Sequence, residues 1–466
     1  MKFSITPSQI VGFPASEYDR FQKLINVFTS KISKNAEKNK YYEGKITLGE
    51  VNLGIALPDG MSKLEIGCAW GAKTVDVLAA RSMFDGFVGL DGKEVETLNK
   101  IAINNNLIAE YAKCCRDELK FGCTFATLAK DKKNGAKIRF HSPQTAAALW
   151  NGEKGRIDCG FAIIDTASAN EQNTEDIASV VYYYTDTSIW ELRFINYSWS
   201  AIEHRHNMGR PLMEPFIWNA TSNKPFGRSR IKEPIRRLID GYIRTIANAT
   251  IGLEFATTPQ KYLMGVSDDQ YDAVVSQKFK QYVGSIIAGT MNAEGEKPEF
   301  GQLPQGSITP HVEMVRVLAT QFSAATGLSV TDTGVVNEAN PTSSDAILAQ
   351  SQTLIGMAEQ LNKGNGDSLR MIALMALAIA KDTTIDQLSE DEKAIMAHFK
   401  NPAMPNVAVT ADAALKIASG REGFASTDVY LEMIGFDKAD IRRIKSQEGR
   451  TRGEQLITEI ENANIE

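Results

Sequence analysis

The sequence predicts an α+β protein that is predominantly helical. Apolar residues recur at helical spacing through roughly the first hundred residues, and short strand-like runs separated by turn residues follow between Phe125 and Tyr197. From about residue 230 the chain returns to amphipathic helices, with one mixed segment at 253–308. Because a helix or a sheet must bury its apolar face on another element, these helices are expected to pack on the sheet.

The N-terminal part is expected to consist of helices broken by glycine. Apolar residues from Phe21 to Phe28 fall on one side of a helix, and a second helical stretch begins near Val75. Gly44 and Gly54 lie between the two stretches, where they predict helix ends and turns.

Four runs rich in β-branched and aromatic residues predict strands. The pairs Asn151-Gly152 and Lys154-Gly155 are typical of turns between antiparallel strands. We therefore expect an antiparallel sheet packed on the helices. The four runs are Lys137–Phe140, Phe161–Ile164, Val180–Tyr184 and Trp190–Ile195.

A polar, proline-containing stretch at 219–230 leads into the first long helix. Pro234 fits its first turn, where a proline is tolerated, and Gly252 is expected to end it. The segment 253–308 then holds a strand-like run from Phe255 to Met264, an amphipathic piece and an acidic loop, which predict a small α+β insertion.

Two further helices are predicted after the insertion. Thr309-Pro310 supplies a cap and a first-turn proline for the second helix, which ends at Gly327. Ser343 or Ser344 caps the third, which is expected to stop before Asn365-Gly366, and the remainder is Ala-rich and helical. The loop between the two helices, of about fourteen residues, is long enough to suggest a function.

Charge and composition exclude several classes of protein. The 51 Lys and Arg against 57 Asp and Glu give a formal net charge of −6, whereas a tight, sequence-reading DNA binder usually has a basic excess. The five cysteines lack CxxC spacing, so we expect reduced thiols and neither a zinc site nor a disulfide framework. No secretion signal and no membrane span are expected, because the longest apolar run is about half of a spanning length.

Four groups of residues suggest chemistry, and each also has a simpler structural interpretation. Residues 67–74 resemble a phosphate-binding loop but have the wrong spacing, which favours a helix N-terminus with a buried Trp70. His204 and His206 could share a metal but fit a polar strand end better. Glu110, Asp117 and Glu118 are expected on a solvated helix face, and the basic segment 228–250 is expected to pair with acidic neighbours. No catalytic residue, cofactor or metal is predicted.

Taken in order, several short motifs resemble the portal proteins of tailed bacteriophages, in the branch with long non-contractile tails. The strongest is the run from Leu303-Pro304 through the second helix and Gly327-Leu328 to Asn340-Pro341-Thr342-Ser343-Ser344-Asp345-Ala346, in which Ser329 replaces the family's usual proline. Weaker ones lie on either side of it: Tyr41-Tyr42-Glu43-Gly44, Trp70 with Val75-Asp76, Arg81 and Gly86-Phe87, Asn106-Leu107, Gly122, Ser142-Pro143, Trp150, Phe226-Gly227-Arg228-Ser229 with Asp240 and Arg244, Ala411-Asp412-Ala413 with Lys416, and Leu431-Glu432 with Gly435-Phe436.

The resemblance implies the portal architecture of wing, stem, clip and crown around a central channel. It divides the chain into a wing (1–228), a first stem helix (229–252), a clip (253–308), a second stem helix (309–326), a tunnel loop (327–341), a long helix returning to the wing (342–364) and a helical crown with the C-terminal tail (365–466).

The resemblance also implies sites, none of them catalytic. The tunnel loop is expected to lie near DNA through Thr331, Asp332, Thr333, Asn337 and Glu338. The first stem helix carries a basic face of Arg236, Arg237 and Arg244, which we expect to face either DNA or neighbouring subunits. The clip is expected to dock partners through Glu294, Glu296, Lys297 and Glu299.

The implied function is a structural conduit for DNA packaging and ejection at one capsid vertex of the virion, assembled in the cytoplasm of a host bacterium. The implied partners are further copies of the chain in a ring, typically a homododecamer, double-stranded DNA without sequence specificity, the terminase large subunit, a head-completion or neck adaptor, and the major capsid and scaffolding proteins. Two alternatives stay open: a nucleotide-dependent enzyme that uses residues 67–74, and a ring scaffold that is not viral.

Overall fold

The computed structural model describes residues 5–51, 63, 65–89, 96–131, 135–170, 173–257, 261–264, 299–302, 307–335, 344–403, 407–436 and 438–463. A mainly helical part, a run of antiparallel strands and a second mainly helical part follow one another through them, as expected for an α+β fold. None of the helices in these ranges is long and apolar enough to cross a membrane.

The described residues of the N-terminal part include four helices. The first ends at Gly44, whose φ of 68° lies in the left-handed region that favours glycine, so the predicted break at this residue is confirmed. Gly54 lies outside the described residues. The helices are α1 (Tyr18–Glu43), α2 (Trp70–Ala79), α3 (Glu96–Asn104) and α4 (Leu107–Phe121).

Antiparallel strands follow α4 and form two sheets. The order is β4-β5-β6-β7-β8 in the larger sheet and β3-β2-β9 in the smaller one. All four predicted runs lie within strands, and Asn151-Gly152 and Lys154-Gly155 form the turn between β4 and β5, as predicted. The strands are β2 (Cys123–Asp131), β3 (Gly135–His141), β4 (Ala146–Asn151), β5 (Arg156–Asn170), β6 (Asn173–Tyr184), β7 (Ser188–Ile195), β8 (Ser198–Arg205) and β9 (Met213–Ile217).

The N-terminal half of α1 packs on one face of the larger sheet. Phe21 and Phe28 of α1 contact the Phe161 ring at centroid distances of 6.1 and 5.2 Å, and Phe21 lies 4.9 Å from Tyr183. These side chains form a core of their own, while α2, α4, the smaller sheet and the long C-terminal helices share a second core. Helix α1 of the predicted wing therefore packs directly on its β-rich part.

Two long helices flank the insertion. Helix α5 (Glu233–Thr257) carries Pro234 in its first turn, as predicted, but it continues past Gly252 for five more residues. Helix α6 (Thr309–Thr326) has the predicted bounds and ends at Gly327, whose φ is 74°. Its N-cap is Ile308 rather than Thr309, because the helix already begins at Thr309.

Of the insertion, the structure describes the paired strands β10 (Lys261–Met264) and β11 (Glu299–Gln302), which are antiparallel. The predicted strand-like run from Phe255 to Met264 is thus partly wrong, because Phe255 belongs to α5. The predicted amphipathic piece near Phe279 lies outside the described residues.

Helix α7 runs from Ser344 to Ala380 and does not stop at Asn365-Gly366, so the predicted boundary at 364 is wrong. Asn365 is 1% exposed, and its amide donates to the Tyr111 hydroxyl at 2.9 Å and to Glu118 Oε2 at 2.7 Å. Because α4 supplies hydrogen-bond partners for the Asn365 side chain, the Asn-Gly sequence, which usually ends a helix, lies within α7.

The C-terminal part is helical with one strand that the sequence did not reveal. Strand β12 (Met396–Phe399) pairs antiparallel with β1 (Phe84–Val88), which ties the predicted crown to the wing. A strand of four residues with a partner far away in sequence leaves no periodicity to detect. The helices that follow α7 are α8 (Glu390–Lys393), α9 (Val407–Gly420), α10 (Asp428–Ile434) and α11 (Lys438–Ala463).

Candidate functional site at the root of the helix pair

Helices α5 and α6 pack against each other through small and aliphatic residues. Ile239, Ile243 and Ala247 of α5 and Leu318 and Ala319 of α6 are buried. A Cβ on Gly241 would lie 3.3 Å from Leu318 Cδ2, so a glycine at this position lets the two helices approach closely.

Trp70, the first residue of α2, fills the space at the base of this pair. Its ring lies 4.6 Å from the Tyr242 ring of α5 and 4.6 Å from the Phe322 ring of α6, and the side chain is 4% exposed. The predicted helix N-terminus with a buried Trp70 is confirmed. Aromatic pairs at this separation add to the free energy of burial, so Trp70 anchors both long helices to α2.

Gly71 explains why residues 67–74 resemble a phosphate-binding loop without being one. A Cβ at this position would lie 2.0 Å from the Tyr41 carbonyl oxygen, so the glycine is required by contact between α1 and α2. Lys73 is exposed on the outer face of α2. The glycine therefore serves helix packing, where a true phosphate-binding loop would use its glycines to wrap backbone amides around a ligand.

Arg230 is a buried guanidinium that binds carbonyl groups. Its Nε donates to the Thr74 carbonyl at 2.6 Å and its Nη2 donates to the Thr326 carbonyl at 2.8 Å. Burial lowers the pKa of Arg230 to about 10, which still leaves it charged at neutral pH. Thr326 is the last residue of α6, so the positive charge lies at the negative end of that helix dipole.

The loop after α6 begins with a short helical turn, Thr331–Thr333, that caps itself. The Asp332 carboxylate accepts from the backbone N–H of Ser329 at 3.0 Å and from its hydroxyl at 2.7 Å, while Ser329 Oγ accepts from the Asp332 N–H at 3.2 Å. This reciprocal pair follows the logic of a capping box. Ser329, which replaces the proline of the resembled family, thus sets the shape of the turn by hydrogen bonding.

The turn is attached to α2. The Trp70 indole N–H donates to the Thr333 carbonyl at 3.3 Å. Of the five loop residues predicted to lie near DNA, Thr331 is exposed, and Asp332 and Thr333 are half-buried with their side chains bonded within the turn. Asn337 and Glu338 lie outside the described residues.

The predicted basic face of the first stem helix is divided among different partners. Arg236 forms an ion pair with Glu37 of α1 at 2.5 Å and lies 5.7 Å from the Tyr41 ring, and Arg237 pairs with Glu233 at 3.3 Å. The predicted pairing of this basic segment with acidic neighbours is therefore confirmed for these two residues. Arg244 is half-buried about two helical turns further along.

Two tyrosines that the motifs singled out bind the two neighbouring helices. The Tyr41 hydroxyl donates to Asp240 of α5 at 2.8 Å, and the Tyr42 hydroxyl donates to Asp76 of α2 at 2.9 Å. Burial and the nearby carboxylate raise the pKa of Tyr42 to about 12, and the same causes raise that of Tyr41 further. Both phenols therefore stay protonated and can donate at any physiological pH.

Other candidate residues take structural roles. His204 lies at the end of β8, where its Nε2 is 3.0 Å from Glu191 Oε2, and the His206 ring nitrogen Nδ1 accepts from the Met208 N–H at 3.4 Å, as expected for a polar strand end. The described residues contain no cluster of His, Cys, Asp and Glu that could hold a metal. Glu299, in β11, is exposed, while Glu294, Glu296 and Lys297 lie outside the described residues.

Glu118 does not lie on a solvated face, and the expectation that it would is wrong. It is 0% exposed, and burial raises its pKa to about 8. The signal that could have revealed this is helical spacing, because Glu118 lies seven residues after Tyr111 and four after Cys114, in the middle of the apolar face of α4. The fold adds that α7 covers this face, where Asn365 donates to Glu118.

Comparison with known proteins identifies one family. The family model described as "Phage portal protein, SPP1 Gp6-like" matches residues 22–454. No curated protein sequence matches the chain.

Solved structures with a similar fold come from gene transfer agent (GTA) particles. One, "Virion of native gene transfer agent (GTA) particle", is 11% identical over 79% of this chain and 89% of that chain, with a TM-score of 0.46. Another, "Neck of native GTA particle computed with C12 symmetry", is 12% identical over the same shares of the two chains, with a TM-score of 0.44. The functional conclusion depends on the family match and not on these distant likenesses.

Proposed function

The chain belongs to the SPP1 Gp6-like family of phage portal proteins, which are structural and not enzymatic, and from this premise we propose that it forms a ring at one vertex of a capsid. Double-stranded DNA passes through the ring without sequence recognition during packaging and ejection. The observation that carries the proposal is the match of the family model over residues 22–454, nearly the whole chain.

The surface of the stem supports a ring of several subunits. On α6, Met314 and Val317 lie three residues apart on one helix face and are 45% and 49% exposed, and Leu253 of α5 is 47% exposed. Their position beside a fully packed α5–α6 contact means that a single chain leaves apolar surface on the stem open to water. Neighbouring subunits in a head-to-tail ring would cover this surface. A head-to-tail interface forms a closed ring when the rotation between neighbours divides a full turn evenly.

We expect the purified protein to form rings whose mass is a whole multiple of 51.2 kDa. Met314→Lys together with Val317→Glu is expected to reduce the mass toward that of one subunit, because two charges would be buried between neighbours. Light scattering measures the mass, and negative-stain images show the ring. Circular dichroism of the variant should stay that of the wild type, and a wild-type protein that is monomeric at all concentrations and salt levels would refute the ring.

The acidity of the chain suits passage of DNA. Each phosphate contact made by Lys or Arg releases counterions and strengthens binding, so many such contacts would hold the DNA in place. Arg236 and Arg237 are already paired with acidic neighbours, and these carboxylates weaken the attraction between the two arginines and phosphate. We therefore assign the channel-facing role to the loop at 327–341, with Thr331, Asp332, Asn337 and Glu338 toward DNA, and assign to Arg236 a role in binding the wing.

The clip at 253–308 is proposed to dock first the terminase large subunit and then a head-completion or neck adaptor. Its pairing of β10 with β11 brings Glu299 opposite Met264, so the two ends of the insertion leave the stem together. The major capsid and scaffolding proteins would contact the wing, with assembly in the cytoplasm of the bacterial host and the ring retained in the virion. A tail of the long, non-contractile type belongs to the same proposal.

Reversing the clip charges should separate assembly from docking. Glu294→Lys, Glu296→Lys and Glu299→Lys together are expected to leave the ring intact and to lower the yield of DNA-filled particles at least tenfold, because the face, now basic, would repel a partner surface that is complementary to the acidic one. The reversal Glu390→Lys on α8, an exposed residue outside both the clip and the proposed subunit contact, is the control. Packaging at the wild-type level by the triple variant would argue against docking at these residues.

A nucleotide-dependent enzyme is not supported. The glycine in its candidate loop packs on α1, and the indole beside it packs between two helices. A ring scaffold of another origin is disfavoured by the family match, which is to phage portal proteins.

A further inference from the structure

The start of α2 is connected to both ends of the segment 326–333, directly at Thr333 and through Arg230 at Thr326. At the far end, the Trp70 indole N–H donates to the Thr333 carbonyl at 3.3 Å. At the near end, Arg230 bridges the Thr74 carbonyl of α2 and the Thr326 carbonyl of α6, at 2.6 and 2.8 Å. The segment 328–335 is therefore connected to α2 at Thr333 and, through Arg230, at Thr326 just before it.

Further contacts connect the start of this segment to α6 and α7. Leu328 is buried, and its carbonyl accepts from the Ser323 hydroxyl at 2.5 Å. A Cβ on Gly327 would lie 3.1 Å from the Met357 methyl carbon of α7, and Arg230 Nη1 lies 3.4 Å from the Met357 sulfur. Arg230 thus contacts three of the helices that meet at this point.

Buried arginines usually pair with a carboxylate, and Arg230 differs in the groups that accept its hydrogen bonds. Within the described residues its donors meet two backbone carbonyls and a thioether, and no carboxylate. A carboxylate would fix the guanidinium by charge, whereas carbonyls fix it by the direction of each donor. A shift of α6 or α2 relative to the other would therefore break one of the two bonds and leave a buried polar group unpaired, at a cost in free energy.

We propose that the first turn of α2 is a latch that sets the position of the segment 328–335, with Trp70 and Arg230 as its two positioning residues. Movement of the loop then requires movement of α2 or release of these bonds. Because α2 also binds α1 through Asp76 and Tyr42, a displacement of the loop is passed to the wing. The proposal rests on the proposed function only in that the loop is taken to lie in the channel.

Hydrogen exchange of the full-length protein tests the latch. Trp70→Phe keeps an aromatic ring between Tyr242 and Phe322 and removes the indole N–H together with part of the ring volume, a loss of volume that the control below shares. We expect exchange of the Asp332, Thr333 and Gly334 amides, which bond within the turn, to become about 2- to 10-fold faster, the effect of losing one hydrogen bond. Trp199→Phe, in the separate core under the larger sheet, is the matched control and should leave these amides unchanged.

Variants of Arg230 distinguish positioning from general stability. Arg230→Met keeps the length of the side chain but none of its donors, and Arg230→Lys keeps the charge and one bond. We expect exchange at 328–335 to be fastest in Arg230→Met and intermediate in Arg230→Lys. Should the methionine variant fail to fold, the lysine variant still provides the test. Equal exchange in Trp70→Phe and the wild type would overturn the latch.

The double variant Trp70→Phe, Arg230→Lys tests whether the two residues act together. If both hold one segment, their effects on its exchange should be non-additive, and simple additivity would show two independent contacts and overturn the shared latch. Since exchange is measured on purified protein without DNA, the latch can fail while the channel assignment stands. The channel assignment can equally fail, in the packaging assays, while the latch stands.

Discussion

Replacing Glu118 with glutamine is expected to stabilise the protein by roughly 3 to 6 kcal/mol at pH 9 and to change little at pH 5. Glu118 is completely buried, and its Oε1 has no hydrogen-bond partner among the described residues. Burial therefore disfavours the charged form and raises the pKa from 4.5 to about 8.

The sign of this effect follows from the protons that each state binds. Between pH 4.5 and about 8 the folded protein keeps the Glu118 proton, whereas the unfolded chain has lost it. Stability therefore falls as the pH rises through this range and is constant above it. Glutamine does not titrate, so the variant should lack this part of the pH dependence.

Urea midpoints from pH 5 to 9 measure the effect. Glu110→Gln is the matched control, because Glu110 lies on the same helix in a partly exposed ion pair with Lys113 at 2.6 Å and should give a pH profile close to that of the wild type. The groups around Glu118 are Tyr111, Cys114 and Cys115 of α4 and Asn365 of α7, and burial raises the pKa of each of the first three well above 8. Parallel profiles for the wild type and Glu118→Gln would contradict the prediction.

Features with a local cause were predictable from the sequence. Gly44 and Gly327 end helices because each has a positive φ, and that preference is a property of glycine itself. The bounds of α6 and the four strand runs follow equally from local pattern. Gly252 failed as a helix end because α5 simply continues through it, at the cost of roughly 1 kcal/mol that other contacts offset.

Features that depend on contacts between distant residues were not predictable. Asn365-Gly366 stays helical because Tyr111 and Glu118 bind the asparagine, and these partners lie about 250 positions earlier. Trp70 was predicted to be buried, but no pattern could place it between α5 and α6 and against the Thr333 carbonyl. The sequence therefore predicted which residues belong to the candidate site, but it did not predict which of them contact each other.

In the loop, the structure shows hydrogen bonds that the sequence did not reveal. Its polar composition suggested side chains that are free to meet DNA. The structure uses Asp332 and Thr333 to close the turn on Ser329 and Val330. A carboxylate that accepts two bonds is held in place but keeps its charge, so Asp332 can still repel phosphate from a fixed position.

Reversing the loop charge is expected to stop DNA in the channel. Asp332→Lys with Glu338→Lys changes the loop from two negative charges to two positive ones, a difference of four charges in every subunit of the ring. Each lysine that meets a phosphate releases counterions, and the contacts of all subunits add up around one duplex. We expect rings of normal mass and a loss of packaged DNA of at least a hundredfold at low salt, with partial recovery at high salt where the attraction is screened.

The capping role of Asp332 requires a control that separates charge from shape. Asp332→Ala with Glu338→Gln also removes the bonds to Ser329 but adds no positive charge, so it should package DNA far better than the lysine variant at every salt concentration. Asp332→Asn with Glu338→Gln keeps an acceptor for the turn and tests neutralisation alone. If the alanine and lysine variants lose DNA packaging to the same extent and without salt dependence, then packaging depends on the shape of the turn and not on its charge. If both package like the wild type, DNA does not pass the loop within reach of these side chains, since a ring of lysines around a polyanion must bind it.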